Sequence, residues 1–237
     1  EEAVAALAEV LRAGSPLEVA AALRALAANP APQAGTALAA GLGASPEAPR
    51  RAAILHALAY RQEDAWSELF ALDLFHEAAE VRLAAVMGLA ACGDASALPH
   101  LAKLASVAAP DQAGAVAEAR LRVAERIAGR GDREAALATC GELLDGPLPV
   151  RCAAIIAIGR LGGTADLPVV LGALGDPNPQ IRGAGRSALA LMAPESAVPA
   201  ALQALAAAPP RAKAELLAAL AESRSEERRV GKECRSR

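Results

Sequence analysis

Along the chain, apolar residues recur at i, i+3, i+4 and i+7 in short blocks, the spacing that lays one apolar stripe along a helix. The blocks themselves repeat. Aligning VRLAAVMGLAACGD from Val81 with VRCAAIIAIGRLGG from Val150 and IRGAGRSALALMAP from Ile181 superimposes an arginine, an apolar stripe and a turn of small residues. One apolar anchor falls at Leu26, Leu58, Leu89, Ile127, Ile158, Leu189 and Leu220, at spacings of 32, 31, 38, 31, 31 and 31 residues. A fixed period in this range marks a stack of repeated units. Each period holds two apolar blocks, so each unit is predicted to be two antiparallel helices. Units are expected to start near residues 19, 51, 82, 120, 151, 182 and 213 within 17–223, and 1–16 reads as the second helix of a truncated preceding unit.

The punctuation follows the same frame. Gly93-Asp94, Gly131-Asp132 and Gly162-Gly163 fall between the two blocks of a unit, where one helix must end and the next be capped. Pro99, Pro168 and Pro199 each lie ten residues after an anchor, which suits the first turn of the second helix, where a missing N–H is harmless. Prolines in GDPNPQ, DGPLP and APP separate one unit from the next. The third-to-fourth spacing is seven residues longer than its neighbours and carries VAAPDQAGAV.

This pattern resembles HEAT repeats, in the short bacterial subtype named after phycobiliprotein lyases. The resemblance is carried by V/I-R-x-x-A-x-x-A/G-L/I openings with downstream G-D or G-G and L-P or V-P steps. It spans about residues 17–222, with looser matches at Val19 and Arg51. It implies an all-α fold, an α-solenoid or superhelix of about six two-helix repeats. Similar proteins serve as scaffolds, adaptors, regulatory subunits and, in a minority, lyase components, so the fold alone does not name the function. A second resemblance concerns residues 224–237: RSEERRVGKECRSR is similar to the in-frame translation of a sequencing adapter, and it is read as foreign to the protein.

Without the six Lys/Arg and three Asp/Glu of that stretch, 18 basic and 24 acidic residues remain, a net charge of −6. An acidic chain disfavours nucleic acid as partner, because affinity for phosphates comes from basic residues. Aromatic residues make up 2% of the chain, too few for base-stacking platforms. Abundant alanine and scarce β-branched and aromatic residues favour close-packed helices. No apolar run reaches the roughly 18 charge-free residues a membrane span needs, so no membrane partner is expected. With Cys234 of that stretch set aside, the remaining cysteines, Cys92, Cys140 and Cys152, are odd in number and follow no disulfide-framework spacing, which points to a reducing, cytoplasmic setting. The chain opens inside a helical pattern without an initiating Met, which leaves a signal peptide open.

No H-E-x-x-H, paired C-x-x-C, G-x-S-x-G or phosphate-binding glycine loop occurs, so no catalytic, cofactor-binding or metal-ligating residue is assigned and no cofactor is expected. His56, His76 and His100 are isolated, and the cysteines read as small buried apolar residues. Arg51, Arg82, Arg120, Arg151, Arg182 and Lys213 share one repeat position. They are expected to lock neighbouring units together by reaching carbonyls or acids, with Asp145 and Asp176, each six residues upstream of an arginine, as natural partners. Arg122, Arg126 and Arg130 interleave with Glu118, Glu125, Asp132 and Glu134 and read as a solvated helix face.

One repeat stands apart. All four aromatic residues, Tyr60, Trp66, Phe70 and Phe75, fall in AYRQEDAWSELFALDLFHEAAE, with six acids (Glu63, Asp64, Glu68, Asp73, Glu77, Glu80) against one base, Arg61. Aligning by repeat buries Phe70 and Leu74 and turns Leu69 and Leu72 to solvent. A slip of one residue buries the two leucines and turns Trp66 and Phe70 outward. Either way the second helix carries one apolar stripe too many, covered by a neighbour or used as a docking site. The candidate partner-binding residues are therefore Trp66, Leu69, Phe70, Leu72 and Phe75. They suit a protein or peptide that presents apolar anchors beside basic residues. The expected function is a non-enzymatic interaction scaffold or adaptor. The alternative is an accessory subunit of an enzyme, such as a bilin-lyase-type component. Uncapped terminal helices at Glu1–Ala13 and Arg211–Glu222 would further expose apolar faces and favour self-association.

Overall fold

The computed structural model describes residues 2–43, 47–192, 194–206 and 210–218. The stretch 224–237 and the anchor Leu220 lie outside them. The fold is all-α: among the described residues every regular element is a helix. After α1 (Glu2–Ala13) the chain alternates between α2 (Pro16–Ala28), α4 (Ala48–Arg61), α6 (Ala79–Cys92), α8 (Pro110–Gly129), α10 (Leu148–Leu161) and α12 (Pro179–Leu191), and the shorter α3 (Pro32–Gly43), α5 (Ser67–Asp73), α7 (Ala97–Ala105), α9 (Arg133–Glu142), α11 (Leu167–Gly175) and α13 (Pro194–Leu205). Residues 210–218 form a further helix.

The chain divides into two compact units, Glu1–Arg126 and Ile127–Arg237. In the first, α4 packs on α6, α2 on α4, and α5 on both α6 and α7. In the second, α10 packs on α12, and α11 on α10 and α12. Like helix stacks on like helix, which is compatible with a solenoid. The periodic anchors explain the stacking: Leu26, Leu58, Leu89, Ile127, Ile158 and Leu189 are all buried. They supply the core face that a single pair of helices cannot bury alone.

Small residues set the turns and the close contacts. Gly93 ends α6 and Gly162 ends α10, each donating its N–H to the carbonyl four residues back at 2.7 Å. A Cβ at either position would sit about 2.5 Å from that same carbonyl oxygen, so only glycine closes the turn this tightly. Gly131 has a φ of 102°, a conformation that disfavours any side chain. The seven extra residues of the fourth unit are absorbed as helix: α8 runs 20 residues where α6 and α10 run 14. One turn signal differs from expectation. Pro168 opens α11 and Pro99 lies in the first turn of α7, but Pro199 lies inside α13, because the residues before it are already wound into helix.

The shared arginines tie the helices as expected in kind, with a different choice of partners. Arg82 donates Nη1 to the carbonyls of His76 and Glu77, and Arg182 does the same to Asp176 and Pro177. Their upstream partners are thus backbone oxygens. Carboxylates come from downstream: Arg51 pairs with Asp73 at 2.9 Å, Arg151 with Asp176 at 3.0 Å, and Arg182 with Glu215 at 3.0 Å. Asp176 therefore gives its carboxylate to Arg151 and only its carbonyl to Arg182. Asp145 takes no part in these pairs. At the N-terminal end, the exposed residues of α1 are alanines together with Glu2, Glu9 and Arg12, Leu7 and Val10 are half-buried, and Glu9 and Arg12 form an exposed pair.

Candidate functional site

The departure in the α4–α6 region is visible residue by residue. Asp64–Trp66 forms a 3₁₀ turn that delivers the chain into α5, and α5 has only seven residues. Phe70 and Leu74, four apart, point into the core and are fully buried. The Phe70 ring packs against α6 where Gly88 leaves room; a Cβ there would be 2.2 Å from the ring. Phe70 is therefore a core residue and not a docking residue, which corrects its inclusion among the candidates. The register that buries Phe70 and Leu74 is the one that forms.

The remaining candidates separate. Leu72 is 81% exposed and Phe75 is 47% exposed, while Leu69 is half-buried beside them. The three occupy a stripe that the next second helix, α7, fills with His100, Lys103 and Ser106 at the equivalent positions one period on. Lys103 lies over the Phe75 ring, its Nζ 5.2 Å from the centroid, a cation–π contact that orients both side chains.

Trp66 is half-buried and held in place. Its Nε1 donates to Glu63 Oε2 at 2.8 Å, and its ring edge packs against α3 at Gly35, where a Cβ would lie 2.8 Å from Cζ2. Glu63 also accepts from Arg61, whose side chain is 3% exposed and donates to the carbonyls of Leu26, Asn29 and Ala31. A buried guanidinium thus closes the C-terminal end of α2, where carbonyls lack helical partners. Sequence reading missed this clamp because Arg61 lies off the repeated arginine position and its acceptors are backbone atoms some thirty residues upstream.

The clamp changes the charge of the surface. Of the six acids, Glu63 is engaged by Arg61, and Asp73 is buried against Arg51, which donates Nε to both carboxylate oxygens at 2.9 Å. Asp64, Glu68, Glu77 and Glu80 are exposed, and Lys103 adds a cation over the Phe75 ring. The surface is therefore apolar with charge of both signs at its edge.

Elsewhere the chemistry is spare. Among the described residues no group of three or more His, Cys, Asp or Glu is placed to hold a metal ion, and no helix is long and apolar enough to cross a membrane. Cys92 is buried on α6, and burial pushes its thiol up to about 11, far from a reactive thiolate. The chain matches no family model and no curated protein.

Proposed function

We propose that this chain is a non-enzymatic protein-interaction scaffold that docks an apolar segment of a partner protein on the surface formed by α5 and α7. One observation carries the reading. Leu72 and Phe75, two large apolar side chains on one short helix and its following turn, are presented to solvent while the helix's other face is fully packed. Interfaces draw most of their energy from such anchors surrounded by polar groups. Glu68 and Glu77 supply that polar edge, and Lys103 already fixes the ring of Phe75, so less side-chain freedom is lost on binding. Repeat arrays use their second helices for this purpose. The HEAT-like repeats, the scaffold role and the absence of an enzymatic activity form one reading, supported by the period of the anchors and by the exposure of this stripe.

Selecting a displayed peptide library on the whole chain tests it. Enriched peptides should carry two apolar residues and lose about 2 kcal/mol of affinity or more, roughly thirty-fold, when Leu72→Ser and Phe75→Ser are combined. Peptides that bind the doubly substituted chain as tightly as the parent, or no enrichment at all, would overturn the assignment.

A further inference from the structure

His76 and Asp176 hold one position of the repeat, each six residues before a shared arginine, and each gives that arginine its carbonyl oxygen. Their side chains also do the same work. Asp176 Oδ1 accepts the backbone N–H of Asn178 at 2.8 Å, and His76 Nδ1 accepts that of Ala78 at 3.1 Å. Asn178 and Ala78 are the residues that cap α12 and α6. At the third such place, Asp145, the residue two further on is Pro147, which has no N–H to give.

The two acceptors respond differently to acid. A carboxylate still accepts at mildly acidic pH, whereas an imidazole, the side chain whose charge changes between about pH 5 and 8, has no acceptor nitrogen once protonated. Nor is there a substitute at α6. Asn178 adds a side-chain bond to Gln180 at the start of α12, but Ala78 has no side chain to offer.

The turn that holds His76 is also the one that carries Phe75. The His76 backbone N–H donates to the Asp73 carbonyl at 3.2 Å, closing the end of α5. Charged groups reach this turn from several elements: Arg51 on α4, bound to Asp73; Arg82 on α6, bound to the His76 carbonyl; and Lys103 on α7, over Phe75. Glu77, Glu80 and, beside Gln112 on α8, Asp111 are exposed carboxylates that offset part of this positive charge. A proton on Nδ1 would set two N–H donors against each other and place a further cation at a helix N-terminus.

We infer that His76 is a pH-sensitive latch on the docking surface. The neutral ring holds Ala78, closes the turn between α5 and α6 and keeps Phe75 under Lys103. Protonation and that hydrogen bond exclude one another, so the closed turn takes up the neutral ring and rejects the charged one. The latch is closed in neutral solution, and its contribution is lost as pH falls. Docking at Leu72 and Phe75 weakens with it. That last consequence rests on the scaffold reading; the latch itself does not.

Nitrogen-15 spectra of the imidazole rings in the whole chain read the latch directly. At pH 8 the His76 proton should be on Nε2, with Nδ1 free to accept. His76→Asn supplies an acceptor that does not titrate, as Asn29 does for Ala31 at 2.9 Å. From pH 8 to pH 5 the thermal midpoint of the parent should drop by about 3 °C relative to that of His76→Asn. A library-selected peptide without histidine should bind the parent at least about fivefold more weakly at pH 5.5 than at pH 8, and His76→Asn equally at both. A proton on Nδ1 at pH 8, midpoints that run parallel in the two chains, or peptide binding with the same pH response in both would each overturn the inference. If the selection yields no peptide while ring and midpoints behave as stated, the α5–α7 docking surface is wrong and the latch stands.

Discussion

Phe70 and Leu72 sit two residues apart on α5 and meet opposite environments, so substituting each separates packing from docking. Phe70→Ala should cost about 3–5 kcal/mol in denaturant unfolding, since a fully buried ring leaves a cavity behind. Leu72→Ala should change stability by less than about 0.5 kcal/mol, as exposed positions do. A large loss in the second case would show that Leu72 is covered and would remove the docking surface. Gly88 gives a companion test. Gly88→Ala places a Cβ against the Phe70 ring and should destabilise by about 1–3 kcal/mol, with part of the loss recovered when Phe70→Leu removes the opposing ring. The surplus stripe on α5 was legible from the repeat alignment, because counting apolar positions needs no coordinates. Which stripe faces inward was not, because it depends on the Phe70 ring finding space over one glycine of another helix.

Helices in this chain are joined by arginine contacts whose worth depends on burial. Asp73 is nearly inaccessible and accepts both of its bonds from Arg51, so Asp73→Ala should cost about 3 kcal/mol by stranding a charged partner. The exposed Glu118–Arg122 pair on α8 should contribute under about 0.5 kcal/mol, and Glu118→Ala serves as the control. Glu215 ties the last described helix to α12. Its hydrogen bond from Arg186, with a further one from Arg182, holds the carboxyl below its ordinary value of 4.5. A lowered carboxyl stabilises the fold above that ordinary value, and the contribution is lost as pH falls through the lower folded value. Thermal midpoints should therefore fall more steeply below pH 4.5 in the parent chain than in Glu215→Gln. Equal slopes would mean the pair contributes nothing. That arginines clamp the stack was legible from their spacing, but their partners were not, because most upstream acceptors are carbonyls that every residue possesses.

At the level of the whole chain, the helical order follows from the period of buried anchors, while the pairing of Glu63 and Asp73 with arginines withdraws two of the six carboxylates that sequence alone places together on one repeat. Thiol labelling at pH 8 offers a global check on packing. Cys92 and Cys140 are fully buried and Cys152 is half-buried, so the first two should react at least about tenfold more slowly than Cys152 in the native chain and catch up only in denaturant. Peptide mapping after a short pulse of reagent reads all three at once.

The arginine contacts also have a direction along the chain. On their N-terminal side, Arg82 and Arg182 grasp backbone oxygens of the segment leading into their own helix, which any residue supplies, so that side needs no matched side chain. Toward the following helix the same arginines meet Gln112 or Glu215, whose identity matters. Substitutions at Glu77 or Pro177 should accordingly be tolerated more readily than those at Gln112 or Glu215, where each change also selects the charge of the contact.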